Sequence, residues 1–164
     1  MEKKSIFVMV FLIVLMVLTT CNNKNGLNVQ YVRTDEIQIV ERLKNPIITV
    51  ISSTNELEQY YEKNKDFYNL STPPDIVSDS TIVFADAIKI YSNEFFENNY
   101  LAIVLLEEGS GSIRHKVERI DDNGDIIIDR LLPELRTADI AKWHIIIELK
   151  NNFKPEQFKI ILEN

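Results

Sequence analysis

The chain has 164 residues, of which 45% are hydrophobic, and it carries 25 acidic and 18 basic side chains for a formal net charge of −7 at pH 7. This length and composition fit one ordinary domain with a hydrophobic core. The acidic balance argues against a protein that binds nucleic acid or anionic lipid, and the single cysteine excludes an internal disulfide.

The first twenty residues predict a secretory signal peptide. Lys3 and Lys4 form a basic start, and an uninterrupted apolar run follows from Ile6 to Leu18. This run is shorter than the roughly 20 residues that a transmembrane helix needs. The following Leu18-Thr19-Thr20-Cys21 resembles the lipobox of bacterial lipoproteins, which implies that the Cys21 thiol receives a diacylglycerol and becomes the new N-terminus. An ordinary signal peptide, or an uncleaved anchor with an incidental cysteine, is the alternative.

This start predicts three sections of chain. Residues 1–20 form the signal peptide, residues 21–30 form the lipidated Cys21 and a flexible polar tether, and residues 31–164 form one domain. Cleavage removes Lys3, Lys4 and Glu2, so the mature chain is slightly more acidic than the precursor. An acyl chain rather than a basic patch therefore has to hold the protein at the cell membrane, on its extracytoplasmic side.

The first half of the domain contains both β and α patterns. The runs Ile37–Val40 and Ile47–Ile51 are rich in β-branched residues and predict strands. Ser53-Thr54-Asn55-Glu56 has the spacing of a capping box and predicts a helix from Thr54 to about Lys65. Helical spacing of apolar residues predicts a second helix within Asp86 to Glu97.

The second half predicts strands almost throughout. Tyr100–Leu106 is apolar on both faces, as in a strand that is covered on each side. Asn123-Gly124 is typical of a two-residue type I′ turn, and it predicts a hairpin between Ile113–Ile120 and Asp125–Leu132. Alternating patterns predict the last two strands, around Trp143–Leu149 and Phe158–Leu162. The fold class is therefore α+β, with one or two helices packed on a mainly antiparallel sheet.

Few residues indicate chemistry. His115 and His144 are the only histidines, and no further Cys or His offers a zinc site. Asp121, Asn123 and Asp125 alternate as calcium ligands do, but the glycine and glutamate of a calcium loop are misplaced, so a hairpin turn is favoured. A nucleophilic site with Ser110 or Ser112 near His115 is conceivable, although no acidic partner for His115 is evident nearby in the sequence. We expect a structural, partly buried His115, no catalytic residue, no metal and no cofactor.

The second half also resembles a known family. Phe95–Leu106, the glycines Gly109 and Gly111, and the run Ser112–Ile120 resemble the C-terminal domain of PrcB-like lipoproteins over about Ser52 to Leu162. The family usually has adjacent glycines, whereas Ser110 separates them here. The resemblance implies a strand-rich domain behind a lipoprotein signal, and a role in stabilising a partner surface protease complex.

These observations favour a membrane-tethered lipoprotein that is not an enzyme and that binds or stabilises another cell-envelope protein. Loops held by a rigid sheet can present exposed groups, so the turn Glu107–Ser112, with Ser110 and Ser112, is the expected contact region. A small hydrolase that uses His115 with a serine is one alternative. The other is an envelope solute- or glycan-binding domain with aromatic contacts around Tyr60, Tyr61, Phe67 and Tyr68.

Overall fold

A computed structural model describes residues 26–37, 41–72, 82–151 and 158–164. The predicted signal peptide and Cys21 lie outside these described residues, as do positions 38–40 of the predicted strand Ile37–Val40, while Ile37 itself lies in a bend. Within the described part of the chain, no helix has both the length and the apolar character needed to cross a bilayer.

The strands form two sheets rather than the single sheet that the sequence predicts. In chain order they are β1 (Val29–Thr34), β2 (Ile47–Ile51), β3 (Asn99–Glu108), β4 (Arg114–Ile120), β5 (Asp125–Leu131), β6 (Ala141–Lys150) and β7 (Lys159–Glu163). The first sheet is antiparallel and has the order β1-β6-β3-β2. The second has the order β4-β5-β7, with β4 antiparallel and β7 parallel to β5. The mainly antiparallel pairing is confirmed.

Three helices are present among the described residues: α1 (Thr54–Asn64), α2 (Phe84–Ala87) and α3 (Asn93–Phe96). Helix α1 confirms its predicted bounds, and the Ser53 hydroxyl accepts from the Glu56 N–H at 3.2 Å. The Glu56 carboxylate, however, accepts from the Ser52 N–H at 2.7 Å, one residue before the capping-box position. The single helix predicted within Asp86 to Glu97 is wrong, because the chain extends at Tyr91 and Ser92 between two short helical pieces.

The first sheet has a hydrophobic core on each face, which makes the domain three layers deep. Alternate residues of β3, Leu101, Ile103 and Leu105, pack against the helices with Leu57 and Phe84. The intervening residues of β3 pack against the second sheet. This second core includes residues from β3, β4, β5 and β6: Ala102, Val104, Leu106, Val117, Ile126, Ile128, Ile145 and Ile147. The prediction that Tyr100–Leu106 is covered on both sides is confirmed.

The β4–β5 hairpin is confirmed, but its turn is not the predicted type I′. Asp121 accepts from the Gly124 N–H at 3.0 Å, and the Asp121 N–H donates to Asp125 at 3.1 Å, which closes a three-residue loop. Gly124 has φ 86°, whereas no non-glycine residue in the described chain has a positive φ. Such a loop needs a left-handed residue only at its last position, and glycine adopts this conformation without steric cost.

The folded domain begins slightly earlier than predicted. Strand β1 starts at Val29 and pairs with the central strand β6, from Val29 opposite Ile147 to Thr34 opposite Lys142. Val29 and Gln30, which the sequence placed in the tether, therefore belong to the first sheet.

Candidate functional site

One end of the domain gathers the residues that the sequence singled out. Strand β3 ends there at Glu108, β6 begins there at Ala141, and β1 ends there at Thr34. The turn 109–113 and the β5–β6 connection 132–140 lie at this end of the strands, which we call the distal end. The chain enters at the opposite edge, where the Asn28 carbonyl accepts from the Glu148 N–H at 3.0 Å.

The two serines of the turn bind the β5–β6 connection. The Ser110 hydroxyl contacts those of Ser112 and Thr137 at 2.8 and 3.0 Å. The Ser112 N–H donates to the Thr137 hydroxyl at 3.2 Å, and the Thr137 N–H donates to the Ser112 hydroxyl at 3.3 Å. Ser110 is only 2% exposed. The expectation that Ser110 presents an exposed group is corrected: its hydroxyl holds two loops together.

Gly111 sits against a partly buried ion pair between Arg33 and Asp139. Arg33 donates to Asp139 at 2.6 Å and to the Gly111 carbonyl at 3.2 Å, and the Gly111 N–H donates to Asp139 at 3.2 Å. A Cβ at position 111 would lie 2.1 Å from Asp139 Oδ2 and 2.6 Å from the Arg33 guanidinium nitrogens. A hydrogen bond from Thr137, followed by those from Gly111 and Arg33, holds the pKa of Asp139 down at about 2. Glycine is needed here for close approach, and the turn is fixed in place.

Beneath the turn, the side chains of Glu108, Arg130 and His115 meet between the two sheets. Arg130 donates to both oxygens of Glu108, at 2.8 and 2.6 Å, and His115 Nε2 lies 2.9 Å from Glu108 Oε1. Burial alone raises the pKa of Glu108, but the hydrogen bonds from Arg130 and His115 outweigh it and lower that pKa to about 2. The expected burial of His115 is confirmed, whereas the expectation that no acidic residue is nearby is wrong: Glu108, seven positions earlier, is its partner.

Among the described residues, His115 makes no hydrogen bond to Ser110 or Ser112. The His115 side chain is 0% exposed, its ring lies edge-on to Trp143 with 5.3 Å between centroids, and Nε2 faces Glu108. The hydroxyls of Ser110 and Ser112 contact each other, Thr137 and the Leu135 carbonyl instead. A general base has to reach the proton it removes, and the hydrogen bonds of Ser110 and Ser112 go to groups other than His115.

At the distal end, the face of the first sheet that carries the helices holds a second ionic cluster. Lys142 is directly opposite Glu107 in the β3–β6 ladder, binds its carboxylate, and reaches Glu36 at 2.8 Å. Burial acts to lower the pKa of Lys142, but the bonds to Glu107 and Glu36 outweigh it and raise that pKa. Glu107 also accepts from the Leu43 N–H at 3.0 Å. At the distal end, ion pairs therefore connect neighbouring segments on both faces of the first sheet.

At this end of the domain the chain exposes four large apolar side chains. They belong to the end of β5 and to the β5–β6 connection: Leu131, Leu132, Leu135 and Ile140. Leu135 is 87% exposed, although its own carbonyl accepts from the Ser112 hydroxyl. We call these four residues the distal apolar row. The sequence pattern between the predicted strands, around residues 133–139, gave no prediction of this surface; the leucines within and beside this segment were the available signal.

The aromatic cluster of α1 and its following turn lies mainly in the core. His144 is fully buried among the rings of Tyr60, Tyr68 and Phe84, with centroids 6.2, 5.2 and 5.2 Å from its own. Its Nδ1 contacts the Thr34 hydroxyl at 3.2 Å, while Nε2 has no hydrogen-bond partner in the described structure. Burial lowers the pKa of His144 to about 3. Of the four aromatic residues in the predicted contact surface, only Phe67 is exposed, at 42%.

Within the described residues, no group of three or more His, Cys, Asp or Glu side chains is arranged to hold a metal ion. Comparisons with protein-family models, with curated proteins and with solved structures return no match.

Proposed function

We propose that this chain is a bacterial lipoprotein, anchored through Cys21 to the extracytoplasmic face of the cell membrane, whose domain binds and stabilises another envelope protein without catalysing a reaction. The distal apolar row carries the proposal. Its leucines remain in water although the backbone beneath them is fixed by the contacts of Ser112, Thr137 and Asp139. Exposed apolar groups at one end of a domain favour a protein interaction site, because removing them from water on binding is favourable.

The topology favours a protein over the anchoring membrane as the occupant. The tether joins β1 at Val29, next to Ile147, whereas the row lies beyond Ala141 at the other end of β6. At about 3.3 Å per residue, Ala141 and Ile147 are roughly 20 Å apart along β6. The row therefore faces away from the lipid when the domain extends from its tether. This position also suits the partner-stabilising role that the PrcB-like resemblance implies.

The anchor is tested at Cys21. We expect Cys21→Ser to abolish incorporation of a palmitate analogue and to move the protein out of the membrane fraction or leave it as uncleaved precursor, because the thiol is the lipid acceptor. Metabolic labelling and cell fractionation measure both effects. Equal labelling of Cys21→Ser and the original chain would exclude lipidation at this residue.

The binding surface is tested at Leu135. A photo-crosslinking residue at Arg136 should capture one envelope protein in intact cells, identified by mass spectrometry. Leu135→Asp should reduce that product about tenfold or more, since a buried leucine at an interface contributes roughly 1.5 kcal/mol or more. Ile90→Asp is the matched control, because Ile90 is 63% exposed on the helical layer. Undiminished crosslinking of Leu135→Asp, or equal loss with Ile90→Asp, would remove the distal row from the interface.

A further inference from the structure

Strand β2 is the terminal strand of the first sheet, and helix α1 runs beside it. One edge of β2 pairs with β3, from Ile47 opposite Leu105 to Ile51 opposite Leu101. Among the described residues, nothing pairs with its other edge. In the described part of the chain, a row of backbone N–H and C=O groups along this edge is therefore open to a further strand. We propose that this edge binds an extended peptide of a partner protein as a fifth strand, with side chains in the groove between β2 and α1.

The composition of this edge supports the proposal. All five residues of β2, Ile-Ile-Thr-Val-Ile, are β-branched. Proteins usually protect a free edge against pairing with other chains by placing lysine, proline or a bulge within the strand. None of these devices is present inside β2, and the register with β3 runs without a shift. The edge is left in the state that pairs most readily with an added strand.

The groove beside the edge has the size and lining of a peptide site. Its volume is about 480 Å³, within the usual range for ligand sites. Its apolar lining comes from both walls and the strand behind them: Leu43, Ile47, Ile51, Tyr60, Tyr68 and Leu105. Gln59, Lys63 and Asn64 of α1 give it a polar rim. Alternate side chains of an extended peptide point to one face, so they can enter this groove while the backbone pairs with β2.

Charge selects the kind of peptide. Lys63 lines the groove and has no ion-pair partner among the described residues, and nearby Arg42 is 67% exposed with only a 3.5 Å contact to Glu107. Arg42 lies towards the Ile47 end of β2, because its contact Glu107 is two residues after Leu105, which pairs with Ile47. At the other end the Glu56 carboxylate is already bonded to Ser52. The occupant is therefore a peptide with alternate apolar residues and an acidic residue that passes Lys63.

This site is separate from the distal apolar row and goes beyond the proposed function. The row belongs to the β5–β6 connection, whereas the groove is formed by β2 and α1 on the helical face of the first sheet. Each surface can therefore be altered without changing the other.

The test is selection of a displayed random decapeptide library on the purified domain, with depletion on Gln59→Trp, which fills the groove from an exposed helix position. We expect enriched peptides with alternate apolar residues and an Asp or Glu. A synthetic copy should protect β2 amides from hydrogen exchange, and backbone N-methylation of that copy should abolish binding. Lys63→Glu should weaken binding about tenfold, and the matched reversal Lys89→Glu less than twofold.

Three results would overturn the proposal. The first is no enrichment on the domain over Gln59→Trp, with equal thermal midpoints showing that both are folded. The second is hydrogen-exchange protection by the selected peptide outside β2. The third is a dimer in solution whose β2 amides are protected before any peptide is added, because a second copy of the chain then occupies the edge.

Discussion

Glu108→Ala is expected to destabilise the domain by about 3 kcal/mol, because removing one member of a buried ion pair leaves the others without their partner. Glu108 accepts both hydrogen bonds of Arg130 and the contact from His115, and its side chain is 3% exposed. Arg130 is 26% exposed and can recover some hydration, which places the effect at the lower end of the usual range. Urea unfolding at pH 7 measures the change in the free energy of unfolding.

Two variants serve as controls for Glu108→Ala. Asp86→Ala removes the ion pair with Lys89, whose two side chains are 64% and 72% exposed, and should cost less than about 0.5 kcal/mol. Glu108→Gln keeps the size of the side chain and one acceptor oxygen, so its effect should fall between the two. If Glu108→Ala and Asp86→Ala changed stability equally, the cluster at the distal end would not stabilise the fold.

The domain is expected to lose about 2 kcal/mol of stability between pH 7 and pH 5 through His144 alone. Burial lowers the pKa of His144 from 6.5 to about 3. Below pH 6.5, His144 is therefore protonated in the unfolded chain but not in the folded protein. The free energy of unfolding decreases as the pH is lowered, until the pH reaches the folded pKa. Thr34, Tyr60, Tyr68 and Phe84 surround the ring, and none of these groups titrates in this window.

His144→Leu tests this assignment, since leucine has a similar volume and no titratable group. Its free energy of unfolding should vary between pH 7 and pH 5 by about 2 kcal/mol less than that of the original domain. The pKa values of Glu108 and Asp139 are lowered to about 2, so their contribution to stability declines only as the pH falls below their unfolded values of 4.5 and 3.8. Parallel pH profiles of the two proteins would show that another group is responsible.

Local patterns predicted much of the fold. Helix α1 and strands β2 to β7 lie close to where capping residues, β-branched runs and alternating patterns place them, because these signals act over a few residues. Strand β1 was missed because polar Gln30, Arg33 and Thr34 interrupt its apolar pattern. Its place comes from pairing with β6, more than a hundred residues later, and a sequence window cannot contain that contact. The division into two sheets depends on similar distant contacts.

The candidate site was only partly predictable. Glu108 continues the alternation of Val104 and Leu106 on β3, and Arg130 continues that of Ile126 and Ile128 on β5, so both are placed on inward faces. The alternation therefore places the charged residues Glu108 and Arg130 on inward faces near the ends of β3 and β5. Their meeting with His115 depends on how the two sheets pack, and that information is not local. The role of Thr137, which fixes Ser110 and Ser112, had no sequence signal.

The pairing of β1 with β6 determines how the domain bears mechanical load. In the proposed arrangement, the lipid pulls on β1 at Val29, while a partner pulls on the distal end, beyond Ala141. The force then runs along the strands, whereas the hydrogen bonds between antiparallel strands run across them. All six β1–β6 residue pairs from Val29 to Thr34 share the shear, rather than opening one after another like a zipper. A domain loaded in this direction can hold a moving partner at the cell surface without unravelling from its tethered strand.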